Sequence, residues 1–200
     1  MLDRASVSIA LATIVAVLAK IALLYSAAGE AWFTREVDAE LVYVVLIALF
    51  LIFLRGKMMH DDSAYFKELE SGTVFQNDPH ARTRVKFGLF VGYLSWLCWA
   101  PAVYFLERPR ALAAWLFAAL TLSTLWLLGD IFTRSLPNQD VEAKKRKWFF
   151  CINVIYLLLL LSVIGRVVDA SIAAAGLVLV LLVDWLISDS LGPFAPQPKA

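Results

Sequence analysis

Apolar residues fall along the chain in six blocks, at 7–27, 41–54, 87–106, 111–129, 148–164 and 171–187, with polar and charged residues gathered between them. A helix of about 20 apolar residues crosses the roughly 30 Å of bilayer hydrocarbon. Backbone groups that face lipid have no water to bond, so such a block must be a helix or a strand of a closed barrel. Barrel strands alternate in polarity, and these blocks do not. The pattern therefore predicts an all-α, polytopic membrane helix bundle of about six transmembrane helices. The block at 41–54 is short, and Arg55 and Lys57 are expected to snorkel outward and lengthen what it covers.

Composition sharpens this picture. Apolar residues make up 61% of the chain and the mean hydropathy is +0.74, well above the roughly 45–50% apolar usage of soluble domains. A soluble fold has nowhere to put so much apolar surface. The blocks run from end to end of the 200 residues, so residues 1–200 read as one membrane domain, with membrane lipid as its surroundings. A net charge of +1 gives no basis for nucleic-acid binding, which needs a concentrated basic face against phosphate.

Lysine and arginine orient the helices. The loop at 55–86 carries Arg55, Lys57, Lys67, Arg82, Arg84 and Lys86, and that at 130–147 carries Arg134, Lys144, Lys145, Arg146 and Lys147. The alternate loops hold only Arg35, Arg108, Arg110 and Arg166. By the positive-inside rule the two rich loops are cytoplasmic, and Arg4 and Lys199 place both termini with them. The first block is expected to be a retained helix rather than a signal peptide, because it is longer than a signal core and is interrupted by Lys20.

The last four blocks form two hairpins with very short outer turns and similar exits, Leu127-Leu128-Gly129-Asp130 and Leu181-Leu182-Val183-Asp184. This faint likeness fits repeated hairpins of the kind found in transporters; low-complexity apolar sequence also generates it.

A charge inside the membrane costs about 2.5–3.5 kcal/mol on insertion scales and marks a place to look for function. Lys20, Asp130 and Asp184 qualify. Asp130 and Arg134 are four residues apart, on one helical face, and read as an interfacial ion pair. Asp184 has no basic residue within four positions on its own helix, which leaves a cross-helix pair with Arg55 or Arg134 or a functional ion site. Lys20 lies near the outer end, where the acidic loop of Glu30, Glu36, Asp38 and Glu40 offers carboxylates.

The hydrophilic stretch holds both histidines, in His60-Asp61-Asp62 and Asn77-Asp78-Pro79-His80. His60, Asp61, Asp62 and His80 have the donor atoms for zinc, manganese or iron. Their spacing does not close a cage, and the bland alternative is a solvated loop with a short helix at 63–71 ended by Gly72. Phosphate loops, nucleophile elbows and His-Glu-x-x-His motifs do not occur in the sequence, and no cofactor is indicated. Cys98 and Cys151 fall at depths of about 18 and 6 Å by helical rise, too far apart for a disulfide. Ser95, Thr121, Ser123, Thr124 and Asn153 serve to fasten helices or line a path. Pro101 is expected to kink its helix. The small residues at 170–176 permit close approach of a neighbouring helix, in this chain or in another protomer.

Three functions follow in order of preference. A channel or transporter of a small ion or solute would use Asp184, Asp130 and Lys20. A scaffold or accessory subunit would engage a second copy or other membrane subunits through its basic loops and small-residue faces. A metal-dependent membrane enzyme working through the 55–86 loop comes third.

Overall fold

In the computed structural model, the described backbone covers residues 2–27, 39–70, 81–133 and 140–190, and its regular structure is entirely helical. Six helices follow in order: α1 Leu2–Ala27, α2 Ala39–Glu70, α3 Ala81–Tyr104, α4 Pro109–Thr133, α5 Asp140–Ile164 and α6 Ala170–Ser190. Each contains a stretch long and apolar enough to cross a membrane, which gives a multi-pass architecture.

The helices extend past the apolar blocks. α2 differs most, with 32 residues where the apolar pattern ends at Leu54. At 1.5 Å per residue it is about 48 Å long, well beyond the hydrocarbon thickness. Its membrane-crossing part is Glu40–His60, and the helix continues to Glu70. Residues 55–70 contain no proline and many strong helix formers, so nothing stops the helix where hydrophobicity stops. The separate short helix expected at 63–71 is absorbed into α2.

Spatial neighbours run α1, α2, α6, α5, α4, α3, and a lighter contact between α3 and α1 closes the ring. α2 reaches furthest inward. Half of its membrane-crossing stretch is buried, against 17% for that of α1. Its Phe50 packs edge-to-face on Tyr156 of α5 at 5.5 Å, and its Phe53 meets Trp185 of α6 at 6.1 Å. Around these, Ile47, Leu51, Leu106, Leu116, Leu160 and Leu177 complete a buried apolar core. Large apolar side chains such as Leu97, Leu158 and Leu186 cover the outside, as lipid contact requires.

Small and polar residues set the helix contacts, as membrane packing favours. Ser95 Oγ of α3 donates to the Ala119 carbonyl of α4 at 3.0 Å and lies 3.2 Å from Ser123 Oγ. Gly88 of α3 gives room to the Trp126 indole, into which any Cβ would be driven. Gly176 lies against Leu159 of α5, so this member of the small-residue run serves contact within the chain. Pro101 sits inside the last turn of α3, where the Phe105 amide still bonds its carbonyl at 3.0 Å.

The two turns that join α3 to α4 and α5 to α6 lie on one face. Pro109 opens α4, with φ already suited to a first helical turn. Asp169 caps α6 by accepting the Ser171 amide on Oδ1 at 2.8 Å. α5 closes with a six-to-one bond from the Val167 amide to the Ser162 carbonyl and a second bond from the Arg166 amide to Val163. This C-terminal motif places one residue in the left-handed region, usually glycine. Here it is Arg166, at φ 61°, while Gly165 stands one position too early. An L-residue in that conformation costs about 1–2 kcal/mol.

Candidate functional site

Arg55 and Lys57 are two residues apart on α2 and therefore point to opposite sides of it. Both are buried, at 1% and 7% exposure. This corrects the expectation that they snorkel out to the interface, and the reason is that each has partners inside the bundle.

Lys57 Nζ lies 3.3 Å from Asp184 Oδ2 of α6 and 4.2 Å from the centroid of the Phe149 ring of α5. Asp184 is itself only 3% exposed. Its Oδ1 accepts the Trp148 indole N–H from α5 at 3.0 Å, and its main-chain carbonyl accepts Ser188 Oγ at 2.6 Å. Three helices thus converge on one carboxylate. Asp184 pairs across helices with Lys57, a partner the sequence reading did not name; Arg134, one of the two it did name, lies outside the described residues.

On the far side of α2, the Arg55 guanidinium stacks over Trp99 of α3 at 4.9 Å and lies 3.7 Å from Met58 Sδ. Such a cation–aromatic contact is strengthened when it is desolvated. The buried polar atoms that find no hydrogen-bond partner among the described residues include the Tyr43 hydroxyl, the Trp99 Nε1, the Thr121 hydroxyl and the Tyr156 hydroxyl. Each costs about 1–3 kcal/mol unless water or a ligand reaches it.

The opposite end of the bundle carries a second pair. Lys20 Nζ meets Glu107 in the α3–α4 turn at 3.1 Å and lies 5.4 Å from the Tyr104 ring. The expected partner was a carboxylate of the acidic loop. Of that loop Glu30, Glu36 and Asp38 lie outside the described residues; among the described residues the α3–α4 turn brings Glu107 to Lys20, a pairing that the sequence separation of 87 residues conceals. The pair is partly open to solvent, with side chains 23% and 30% exposed. Burial pushes the Glu107 carboxyl up. Its backbone hydrogen bond, the Lys20 hydrogen bond and charge, and Arg108 together outweigh that and hold it below its ordinary value.

Of the remaining predicted residues, His60 is exposed near the end of the α2 span. The side chains of Asp61, Asp62, His80, Asp130 and Arg134 lie outside the described residues. Among the described residues no three His, Cys, Asp or Glu side chains gather in metal-binding range. Cys98 and Cys151 are free.

The sequence signalled Asp184 by its charge in the last span. It hid Lys57, because the apolar count ended the helix at Leu54. The uninterrupted helix-forming run after Arg55 was the signal that would have kept Lys57 inside. Trp148 opens the fifth apolar block, and nothing in the sequence ties it to Asp184.

Compared with family models, curated proteins and solved structures, the chain matches none.

Proposed function

We propose that the bundle passes a small cation or proton and that the Lys57–Asp184 pair is its inner site. The burial of this pair carries the reading. Enclosing two charges costs several kcal/mol each, and apolar side chains of the same volume often pack as well or better. A pair kept in spite of that is easier to motivate by function than by stability.

The chemistry of the site agrees. A buried carboxylate held by an ammonium opens only to something that replaces that ammonium, which is a proton or an entering cation. Protonation or cation binding at Asp184 would free Lys57, and Trp148 would keep the carboxyl oriented through the exchange. Tyr43, Trp99 and Tyr156 supply polar atoms between this pair and the Lys20–Glu107 pair. By helical rise, Tyr43 and Lys57 are about 21 Å apart along α2, enough to separate an outer from an inner site. In this reading both termini and the basic segments are cytoplasmic, and the Lys57–Asp184 pair faces that side.

The test uses purified full-length protein in vesicles, with flux measured for protons and a series of small monovalent cations. The double variant Lys57→Met/Asp184→Leu removes both charges together and orphans neither. Flux in the wild type and its loss in a double variant that melts as the wild type does are expected. Undiminished flux in the double variant removes the pair from the mechanism. Wild-type vesicles that pass none of the ions favour an accessory subunit instead.

A further inference from the structure

We propose that the face carrying the two short turns holds a binding site for a phosphate group, borne by a lipid headgroup or free in solution. The argument is independent of the Lys57–Asp184 pair, which lies at the opposite end of the bundle.

A cavity of about 750 Å³ opens between the α3–α4 and α5–α6 turns, and Arg108, Arg110 and Arg166 line it. Among the described residues the only carboxylate in its lining is that of Asp169, whose Oδ1 is engaged by the Ser171 amide as the cap of α6. Three guanidiniums against one carboxylate give the described lining a charge of +2. The helices α4 and α6, of 25 and 21 residues, both begin in the lining, at Pro109 and Ala170. Their positive dipole ends add to the field of the arginines. Guanidinium forks match the oxygens of a phosphate in pairs, which a single ammonium cannot do.

Arg166 gives this arrangement its direction. It occupies the left-handed position of the α5 terminus, at φ 61°, although Gly165 is adjacent and a shift of one residue would place glycine there. Such a local conflict points to a demand on the side chain beyond folding. The rest of the wall is apolar, including Val163 and Val167. A phosphate flanked by hydrocarbon fits that combination.

The full chain, extracted in mild detergent, would be examined by native mass spectrometry with phosphatidylglycerol or phosphatidylcholine at equal mole fraction. Wild-type protein is expected to retain phosphatidylglycerol preferentially. A basic residue beside an anionic headgroup is worth about fivefold, so R166G should lower the preference by roughly that factor and R108Q/R110Q/R166Q should abolish it. R166G puts glycine where glycine is favoured, so its melting midpoint should hold or rise, which separates loss of binding from loss of fold. Displacement of the lipid by millimolar inorganic phosphate would identify a site for free phosphate; no displacement would identify a lipid site. Equal retention by the wild type and the triple variant, or an R166G protein that binds as the wild type does, overturns the proposal.

Discussion

Lys57 and Asp184 meet at 3.3 Å with both side chains more than nine-tenths buried, on helices separated by most of the chain yet adjacent in the bundle. Removing one partner of such a pair takes from the other its counter-charge in a medium that solvates it poorly. Lys57→Met or Asp184→Asn should therefore lose about 3–5 kcal/mol of stability, with Asn at the low end because its amide oxygen still accepts from Trp148. The double variant Lys57→Met/Asp184→Leu should return to within about 1–2 kcal/mol of the wild type. Equilibrium unfolding in detergent measures all three. Additive losses would show that the two residues do not act as a pair.

The outer pair should behave differently. Lys20 and Glu107 are partly solvated, and exposed pairs contribute about 0–1 kcal/mol, so Lys20→Met should have a small effect near neutral pH. The pH dependence is more informative. A carboxyl held below its ordinary 4.5 in the folded state contributes stability that is fully present above 4.5 and is lost as pH falls through the lower folded value. Lys20→Met takes away one cause of the depression. The variant should therefore show a shallower loss of stability below pH 4.5 than the wild type, read from melting midpoints across the acid range.

The six spans were legible because hydrocarbon thickness sets a helix length and lipid leaves the backbone no alternative to helix. Side-chain pairing was less so. Asp184 stood out, since a carboxylate deep in a span with no basic residue one turn away must find its partner on another helix. Which partner depends on how far α2 continues, and helix formation there follows backbone propensity, whereas the apolar count that located the spans says nothing about it. Lys20 had four nearby carboxylates in sequence and pairs with one 87 residues away. Charge balance required a partner there, and only the packing of the α3–α4 turn over α1 chose it.

Gly88 tests the α3–α4 contact. A methyl group at this position would overlap the Trp126 indole, whereas at Gly92 it would meet nothing within 4 Å. Gly88→Ala should lose about 1–3 kcal/mol through overpacking. Gly92→Ala should be neutral or gain up to about 1 kcal/mol from helix propensity. Combining Gly88→Ala with Trp126→Leu should recover part of the loss, since the smaller side chain vacates the space. Failure of that rescue would mean that the glycine is needed for something other than the indole.

Orientation can be read by labelling. With Cys98 and Cys151 replaced by alanine, Val167→Cys places a thiol at a turn position that is 79% exposed, and His60→Cys places one at the exposed far end of the α2 span. The positive-inside rule puts the first outside and the second in the cytoplasm. A membrane-impermeant maleimide should label the cysteine at 167 in intact cells and that at 60 only after permeabilisation. The reverse result would invert the topology and with it the assignment of Lys57–Asp184 to the cytoplasmic side.

The interior tyrosines distinguish a dry bundle from a wet one. Tyr43 and Tyr156 are buried, and neither hydroxyl has a protein partner among the described residues. In a dry bundle each hydroxyl carries a desolvation cost of about 1–3 kcal/mol that phenylalanine would not. Tyr43→Phe and Tyr156→Phe would then stabilise the fold and leave any flux unchanged. If water occupies the interior, each hydroxyl is already bonded and its removal leaves a water short of a partner, so stability should be flat or fall slightly. The transport reading requires the second case. It predicts that Tyr156→Phe, between the Phe50 contact and the inner ion pair, lowers cation or proton flux at unchanged melting midpoint. A gain of 1 kcal/mol or more in both variants, with flux intact, would describe a sealed bundle and take these residues out of any pathway.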